Sequence, residues 1–578
     1  MPAPVLPPPL SDPLRIHTMT ATFMRSFSPT PLCSALTLAL LPLAASAQVQ
    51  PDAGRALESL QQQRPTLPAP APIELRLPET PGAGGADSGG TPVQVQRFAV
   101  EGNSVIATDE LQALLAPLQG QSLTLAQLQG GAARVTQLYR ERGYPFAYAY
   151  LPEQTVEGGL VRVAVLEGRL GTVRIDNASR QREAVVATPL ERLQRGAVMR
   201  ADALEESLLL LGDVAGVKAQ ASLQPGVEPG TSDLVVKAED TPLASGAISA
   251  DNYGNRYTGA YRASGNVQLN GALGMGEQID LQTVLSNEQL RNYRLGYQMP
   301  VGPWNTRVGA SLSHLDYELG EQFEALDAYG SAKVASLYAI QPLVRSRRVN
   351  LNARLQYDQK RLVDHVGATK TDERKRSNLT TLGLDGNWQD GIGGAAVNQW
   401  SLGWVHGRLR LGSDGQQARD AATARSAGSF QVLTASIARW QALSGPWSLH
   451  ARANGQVSNS NLDSSEKMSL GGAYGVRAYP QGEASGDEGV QGTVELRYAL
   501  AAGWQLSGFV DGGRVKLQHS PWAAGRNFRS LGGAGFGVQR TGADWSIETA
   551  LAWRVDSGAA RSAPDKSPRL WVKAQKYF

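Results

Sequence analysis

Residues Val349–Asp358 read Val-Asn-Leu-Asn-Ala-Arg-Leu-Gln-Tyr-Asp, a strict alternation of apolar and polar side chains. Successive side chains of a β-strand point to opposite faces, so this pattern predicts a strand with one apolar and one polar face. A strand of about ten residues crosses a bilayer when tilted, whereas strands of soluble sandwiches are usually about half that length. The stretch therefore indicates one strand of a transmembrane β-barrel.

The same alternation recurs throughout residues 242–578. We mark about sixteen such runs, an even number of the kind that a closed antiparallel barrel requires. They begin near residues 244, 258, 276, 291, 305, 327, 346, 376, 396, 428, 446, 489, 503, 529, 543 and 567. Tight turns such as Gly302–Trp304, Ala501–Gly503 and Thr541–Ala543 alternate with longer polar segments at 361–375, 412–427, 459–488 and 517–528. This sorting is typical of an all-β transmembrane barrel, with short turns on one side and long loops on the other.

The first 47 residues have the pattern of a secretory signal peptide. An apolar run from Leu32 to Leu43 ends in Ala45-Ser46-Ala47, and the proline-rich residues before Met19 indicate an over-extended start. The sole cysteine, Cys33, lies in this segment, so the mature chain is expected to hold no disulfide and no metal–thiolate site. The formal net charge of +3 is small for 578 residues and argues against a nucleic-acid partner.

Between the signal and the barrel, the sequence predicts four segments. Residues 48–63 favour a short helix, and residues 64–92, dense in Pro, Gly and Ala, are typical of a flexible linker. Residues 93–168 and 169–241 each follow the order β-α-α-β-β. The plain interpretation is two small α/β modules in tandem, which could be any two domains of that order.

The first module carries more specific residues. It opens with Phe98-Ala-Val100-Glu-Gly102-Asn103, and its second helix ends in Arg142-Gly-Tyr144. This pattern resembles POTRA domains, the periplasmic modules that precede certain outer-membrane barrels. The resemblance places both α/β modules in the periplasm.

A loop in the barrel region contains an isolated charge. The stretch Gly471–Pro480 (Gly-Gly-Ala-Tyr-Gly-Val-Arg-Ala-Tyr-Pro) holds Arg477 within the segment 459–488, which strand counting makes an external loop. Side chains alternate along residues 503–515, so Asp511 lies on the face opposite Trp504, Leu506 and Val510. Because that apolar face must contact lipid, Asp511 is expected to point into the lumen. We hypothesise that the loop folds back and that Arg477 meets Asp511. The alternative is that both charges are simply solvated.

Three motifs resemble the outer-membrane transporters of two-partner secretion, the haemolysin secretion/activation family. They are Val476-Arg477-Ala478-Tyr479, where the family has Val-Arg-Gly-Tyr; Phe509-Val-Asp511-Gly-Gly513, similar to its Phe-x-Asp-x-Gly strand; and Asp251-Asn252-Tyr253-Gly254-Asn255 after the first strand. The resemblance implies that Arg477 pairs with Asp511 inside the barrel and that residues 48–63 plug the resting pore. It also implies that the terminal aromatic Phe578 is read by the barrel-assembly machinery, although Lys576 departs from the usual ending.

The expected function follows from this resemblance. The protein would lie in the bacterial outer membrane, surrounded by its lipid, recognise a large exoprotein by an N-terminal secretion domain, and export it through the barrel. Alternatives are a BamA-like factor that inserts other barrel proteins, and a passive porin. We expect no cofactor, no metal and no enzymatic activity, since histidines such as His314, His365, His406 and His450 lack metal-ligand spacing.

Overall fold

The computed structural model describes residues 51–61, 74–76, 91–556 and 558–578. The predicted signal peptide lies outside the described residues, and so does most of the predicted linker 64–92. Two elements precede the modules, helix α1 (Ala53–Gln61) and strand β1 (Glu74–Arg76). No helix in these ranges is long and apolar enough to cross a membrane.

The first α/β module packs two helices against a small sheet. Its elements are β2 (Val93–Gln94), β3 (Arg97–Glu101), α2 (Thr108–Leu115), β4 (Ser122–Leu123), α3 (Leu125–Glu141), β5 (Tyr148–Tyr150) and β6 (Leu160–Leu166). The main sheet has the order β3-β6-β5. Thr124 and Gln127 form a reciprocal capping box that satisfies backbone N–H groups at the start of α3. The inward stripe of α3, including Val135 and Tyr139, is fully buried against the sheet.

A buried carboxylate lies where the first module passes into the second. Glu167 accepts hydrogen bonds from the backbone N–H of Val105 at 2.9 Å and from the Tyr139 hydroxyl at 3.0 Å, and Ser104 donates from both its backbone and its hydroxyl. Burial raises the pKa of Glu167, but these hydrogen bonds to the charged form outweigh it, and the pKa lies below its usual value. The carboxylate therefore stabilises the junction in its ionised form.

The second module has one four-stranded sheet. Its elements are β7 (Arg169–Asn177), α4 (Glu183–Ala187), α5 (Ala201–Gly212), β8 (Val217–Pro225) and β9 (Thr231–Asp240). The sheet order is β1-β8-β9-β7, with β1 parallel to β8. Residues 74–76, within the predicted linker, therefore form an edge strand, because the edge of β8 offers backbone groups that pair with any extended segment.

Residues 244–577 form a closed barrel of sixteen antiparallel strands, which confirms the predicted fold class. The strands are β10 (Ala244–Asp251), β11 (Arg262–Asn270), β12 (Gln278–Ser286), β13 (Arg291–Val301), β14 (Thr306–Glu318), β15 (Ala328–Arg345), β16 (Val349–Val366), β17 (Thr371–Asp390), β18 (Ala396–Leu411), β19 (Gly428–Ala442), β20 (Trp447–Ser458), β23 (Glu488–Ala499), β24 (Trp504–Lys516), β25 (Phe528–Thr541), β26 (Trp545–Arg554) and β27 (Arg569–Tyr577). Two short strands, β21 (Met468–Ser469) and β22 (Ser485–Gly486), lie between β20 and β23. Strand β27 closes the ring on β10.

The second module contacts one end of the barrel, which we call the module end. Arg345 Nε lies 2.7 Å from the Asp213 carboxylate, Asn305 donates to the Leu210 carbonyl at 3.0 Å, and Gln181 donates to the Gly271 carbonyl at 3.0 Å. Connections at this end are at most seven residues long, whereas all the longer loops lie at the opposite, far end, together with the short turns 287–290 and 367–370. The entrance at the module end is thus framed by the second module.

Two loop predictions were incomplete. The segment 361–375 was expected to be a loop, but β16 and β17 extend to Val366 and from Thr371, with a 3₁₀ turn at Gly367–Thr369 between them. The alternation simply continues there with charged side chains on both faces, which masks the pattern. The segment 412–427 contains a helix, α6 (Asp414–Ala422), whose N-terminus is capped by the Ser413 hydroxyl.

Candidate functional site

The loop between β20 and β23, residues 459–487, folds back into the barrel. We call it the inner loop. Its short strands β21 and β22 pair as a hairpin, and the Val476 N–H donates to the Leu470 carbonyl at 2.7 Å. Leu470, Val476 and Tyr479 have no exposed surface. A polar connecting segment would normally be solvated, so this complete burial marks a loop that is held in place by the barrel wall.

Arg477, at the tip of the inner loop, binds Asp511 of β24 through a two-pronged contact. Its Nε lies 2.9 Å from one carboxylate oxygen and its Nη2 lies 2.9 Å from the other, while its backbone N–H donates at 3.1 Å. Both residues are at most 3% exposed. A bidentate arginine–carboxylate contact fixes orientation as well as position. The structure therefore brings together the two charges that the sequence suggested as partners.

Four further residues surround this contact. Glu495 of β23 accepts from Arg477 Nη1 at 2.9 Å, and Thr493 donates to Asp511 at 2.9 Å. The Arg477 guanidinium also lies over the Phe509 ring, 3.2 Å from its centroid. Arg497 donates to the second oxygen of Glu495 at 2.8 Å, so each buried carboxylate has two partners. Satisfied partners are what make a buried charge network tolerable.

Glycines of the barrel wall make room for the inner loop. A Cβ at Gly513 would lie 2.9 Å from Leu470 Cδ2, one at Gly533 would lie 2.7 Å from Ala478 Cβ, and one at Gly535 would lie 2.6 Å from Phe509 Cζ. The lumenal face of β24 and β25 is thus a shallow depression that the loop fills. Ala478, at the position where a glycine was expected, does not have a left-handed backbone. Its methyl group fits because it packs where residue 533 has no side chain.

The motif after the first strand contacts both the inner loop and the last strand. Asn252 exchanges hydrogen bonds with the backbone of β27, at 2.9 Å and 2.8 Å, and Asn255 donates to the Gln481 carbonyl at 3.1 Å. Tyr253 lies edge-on to both Tyr474 and Trp571. Asp251 pairs with Arg262 at 2.8 Å, and Gly254 approaches the Gly259 carbonyl too closely for any side chain. The motif therefore joins the first strand, the last strand and the inner loop.

Trp571 of β27 contributes a contact that the sequence did not suggest. Its indole N–H donates to the Arg477 carbonyl at 2.7 Å, and its ring is 3% exposed. The backbone of the loop tip is thus held by β27, while its guanidinium is held by β24. The terminal Phe578 follows the module end of β27, where its backbone exchanges hydrogen bonds with Gly246 of β10 at 3.0 Å and 3.1 Å.

The inner loop also holds the loop that follows β26. Glu483, 1% exposed, accepts hydrogen bonds from the backbone of Arg561 at 2.9 Å and of Ser562 at 2.7 Å, and Arg529 contacts the same carboxylate. The Tyr479 hydroxyl contacts Asp556 and donates to the Gly558 carbonyl at 2.6 Å. The far end of the barrel is therefore narrowed by two loops that are bound to each other.

Helix α1 lies inside the barrel beside the inner loop. Ala53, Ala56 and Leu57 are at most 5% exposed. They pack against residues of β14, β16 and neighbouring elements, including Leu290, Leu315, Tyr317 and Leu362. The helix thus occupies part of the lumen.

The start of α1 is held by a charged cluster. Lys375 of β17 lies 3.1 Å from Asp52 and 3.0 Å from Asp463 of the inner loop, and Ser464 donates to Asp52 at 2.6 Å. Gly54 permits this proximity, since a Cβ there would lie 2.3 Å from the Ser464 hydroxyl. The helix and the inner loop are therefore held by a shared lysine.

Sequence reasoning missed several members of the site, namely Thr493, Glu495, Trp571, Glu483, Lys375 and Asp463. Alternation along β23 could have placed Thr493 and Glu495 in the lumen, because they are directly opposite Asp511 and Phe509 of β24. Nothing local indicated the contacts of Trp571, Glu483, Lys375 and Asp463. Within the described ranges, no group of three or more His, Cys, Asp or Glu residues is arranged to hold a metal ion.

Comparison with known proteins gives concordant results. The family model of the haemolysin secretion/activation proteins ShlB/FhaC/HecB matches residues 230–540, and the model of the ShlB-type POTRA domain matches residues 93–168. The heme/hemopexin transporter protein HuxB of Haemophilus influenzae is 30% identical over 407 residues, which is 69% of this chain and 70% of that protein.

Solved structures show the same architecture. CdiB from Escherichia coli has a TM-score of 0.68 at 20% identity, covering 90% of this chain and 95% of that chain. BamA from Haemophilus ducreyi, lacking POTRA domains 1–3, has a TM-score of 0.51 at 15% identity, covering 84% and 100%. At these identities the likeness concerns the fold alone, so the BamA comparison does not favour an insertase over a transporter.

Proposed function

The chain belongs to the haemolysin secretion/activation family of ShlB, FhaC and HecB, and we propose that it exports one large exoprotein through its barrel. It is an outer-membrane transporter of two-partner secretion, with its POTRA domain in the periplasm. The module end of the barrel is accordingly periplasmic, and the far end faces the medium. The observation that carries the proposal is the lumen itself, which is occupied by two segments, α1 and the inner loop, rather than by packed strand side chains alone.

The proposed resting state is closed. Leu57 and its neighbours place α1 against one side of the lumen, and the inner loop fills the depression on the other. An extended polypeptide about 10 Å across needs this space, so α1 must leave before export begins. We propose that the inner loop stays bound through Arg477 while α1 departs, because Arg477 has two buried carboxylate partners and α1 is a helix of nine residues.

The exoprotein would be captured by the modules. An open sheet edge can accept an extended segment by adding a strand, with main-chain hydrogen bonds supplying affinity. The edge of β8 is paired with β1 of the chain's own linker segment. We propose that β1 is a placeholder that an N-terminal segment of the exoprotein displaces, and that its displacement releases α1, which precedes β1 in the chain. This scheme requires no catalytic step. Folding of the exoprotein outside the cell would drive its export.

We propose that Arg477 and Asp511 are a positioning pair rather than a binding site for the passenger. Removing one member of a buried charge pair costs on the order of 3–5 kcal/mol, because the other charge is left uncompensated. Strand pairing of the barrel does not depend on this contact. Arg477→Ala should therefore insert as a barrel but hold the inner loop poorly.

The experiment is co-expression of the transporter with candidate large exoproteins, with secretion into the medium measured by immunoblot. Wild type is expected to secrete its own partner, and Arg477→Ala to secrete at most about a tenth as much while keeping the heat-modifiable migration of a folded barrel. A matched control is Arg134→Ala, at an exposed position of the first module. Secretion by Arg477→Ala at the wild-type level would contradict the positioning role, and absence of secretion for every candidate would count against export.

A further inference from the structure

Basic side chains form a patch on the outward face of β15–β18, near the far end of the barrel. Lys333, Arg361, Arg376 and Arg410 are directly opposite one another in register on these four neighbouring strands. Arg374 and Arg408 lie two residues away along β17 and β18 on the same face. All six side chains are exposed. We call these six residues the outer basic patch.

This arrangement is unfavourable for the protein on its own. Like charges directly opposite on neighbouring strands repel each other. Among the residues that the structure describes, none of the six forms an ion pair with a carboxylate. The nearest acidic residue on that face of β17, Asp372, lies 2.5 Å from His365 Nδ1. A row of four cations without counter-charges suggests an external anion.

The patch lies directly above the apolar band of the barrel. Four residues from Lys333 and Arg361 towards the module end, the outward positions are occupied by Leu337 and Tyr357, which are 62% and 44% exposed. On β17 and β18 the apolar positions begin six residues from the row, with Leu382 and Trp404, which are 49% and 39% exposed. A strand rises about 3.3 Å per residue, so Lys333 and Arg361 lie roughly 10–13 Å above this apolar band, and Arg376 and Arg410 roughly 15–20 Å above it, depending on strand tilt. That position corresponds to the headgroup layer of the outer leaflet.

An apolar groove adjoins the patch on the same outward face. It has a volume of about 830 Å³ and spans β11–β16. Lys333 and Arg361 form its rim towards the far end, and Val267, Leu295 and Leu312 contribute apolar surface. Gly265, which lacks a side chain, deepens it. An apolar groove with a cationic rim is complementary to an amphiphile with an anionic head.

The patch occupies one side of the barrel only. At the corresponding end of β23–β27, the outward positions are mixed; they carry Glu488, Val490, Arg514, Lys516, Phe528, Ser530, Trp553, Val555 and Leu570. Both cations in that set have a partner: Arg514 lies 4.4 Å from the Phe528 ring centroid, and Lys516 lies 3.0 Å from the Glu488 carboxylate. A general attraction to an anionic membrane surface would not require such asymmetry. The arrangement instead indicates a site for individual lipid molecules.

We propose that the outer basic patch binds the phosphate groups of the phosphorylated glycolipid of the outer leaflet, with an acyl chain in the adjoining groove. Arginine presents planar, paired N–H donors that match phosphate oxygens. Neighbouring strands are about 4.8 Å apart, so the row of four cations spans about 14 Å, enough for two phosphate groups on one disaccharide. The bound lipid would offset the repulsion within the row.

The test uses the full chain in detergent micelles and purified diphosphoryl lipid A as the probe, with binding measured by native mass spectrometry. The variant Arg361→Gln/Arg376→Gln/Arg410→Gln is expected to bind at least tenfold more weakly than wild type. The matched control Arg134→Gln/Arg140→Gln/Arg195→Gln, at exposed positions of the two modules, is expected to bind like wild type. Monophosphoryl lipid A should bind wild type more weakly than the diphosphoryl form.

The proposal also predicts how the unfolding temperature responds to lipid A and how the lipid-free variant compares in stability. Lipid A should raise the apparent unfolding temperature of wild type but not of the glutamine variant. Without lipid, that variant should be at least as stable as wild type, because the substitution removes repulsion. Equal binding by the two proteins would overturn the proposal. So would a less stable lipid-free variant, or displacement of the lipid by equimolar inorganic phosphate, which would make a free anion the occupant.

Discussion

Substitution of Gly533 by alanine tests whether the inner loop fits a glycine-lined depression. The added Cβ would lie 2.7 Å from Ala478 Cβ and 3.4 Å from its backbone nitrogen. Carbon atoms prefer separations of about 3.5–4.0 Å, so the loop or the strand must move. Gly533 does not have a positive φ, and the substitution introduces no backbone strain. The expected effect is therefore confined to contact between strand and loop.

The magnitude follows from overpacking. Extra methylene-sized groups in a close-packed interior typically cost about 1–3 kcal/mol. Applied to the equilibrium between a docked and a detached inner loop, this corresponds to a roughly 5- to 150-fold larger detached fraction. The double variant Gly533→Ala/Ala478→Gly removes the opposing methyl group and should return to within about twofold of wild type. The two substitutions are thus strongly non-additive.

The assay is labelling of a single introduced cysteine. The chain's sole cysteine, Cys33, is first replaced by serine, so that the introduced cysteine is the only thiol. Ala473→Cys, at a position 6% exposed in the inner loop, should react with a maleimide only when the loop detaches. Gly508→Ala on the outward face of β24 is the matched control, because its nearest neighbour atom would be 3.9 Å away. Unchanged labelling in Gly533→Ala, or no recovery in the double variant, would refute the proposed fit.

Two other outcomes are expected. Leu57→Asp places a charge among buried apolar groups, so α1 should leave the lumen. Channel conductance in planar bilayers should then rise severalfold. The control Ser59→Asp, at a half-buried position two residues away, should change the conductance little. Glu167→Gln should destabilise the first module by about 1–3 kcal/mol at neutral pH, as measured by proteolysis of the full chain in urea. Because the folded pKa of Glu167 is lowered, its contribution is present above its unfolded pKa and lost as pH falls through the folded one. The difference between wild type and variant should therefore shrink below about pH 4, and a constant difference would contradict the assignment.

Most of the barrel was predictable because alternation is a local property. Every expected strand start has an observed counterpart, and the largest difference is at β17, expected near 376 and observed at Thr371. That error arose where charged residues occupy both faces of β17, as with Lys375 inside and Arg376 outside. Parity likewise placed Asp511 in the lumen, since facing depends only on position along the strand.

The partners in the site were less predictable because they come from distant parts of the chain. Trp571 contacts Arg477, which is 94 positions away in the sequence, and Asn255 contacts Gln481, which is 226 positions away. The space for Ala478 depends on the absence of a side chain at Gly533, which no local pattern indicates. Such contacts can be predicted only when the pairing of all strands in the closed barrel is known.

The inner loop also has a consequence for how the ring closes. Pairing β10 with β27 joins residues more than 300 positions apart, as in Asn252 with Val572, and the entropy lost grows with the length of the closed segment. The inner loop contacts β10 through Asn255 and β27 through Trp571, and it lies between them in sequence. It therefore replaces the closure of one chain segment of more than 300 residues by the closure of two shorter segments. Gly471–Pro480 would thus serve as a template on which β10 and β27, the first and last strands of the barrel, meet during assembly.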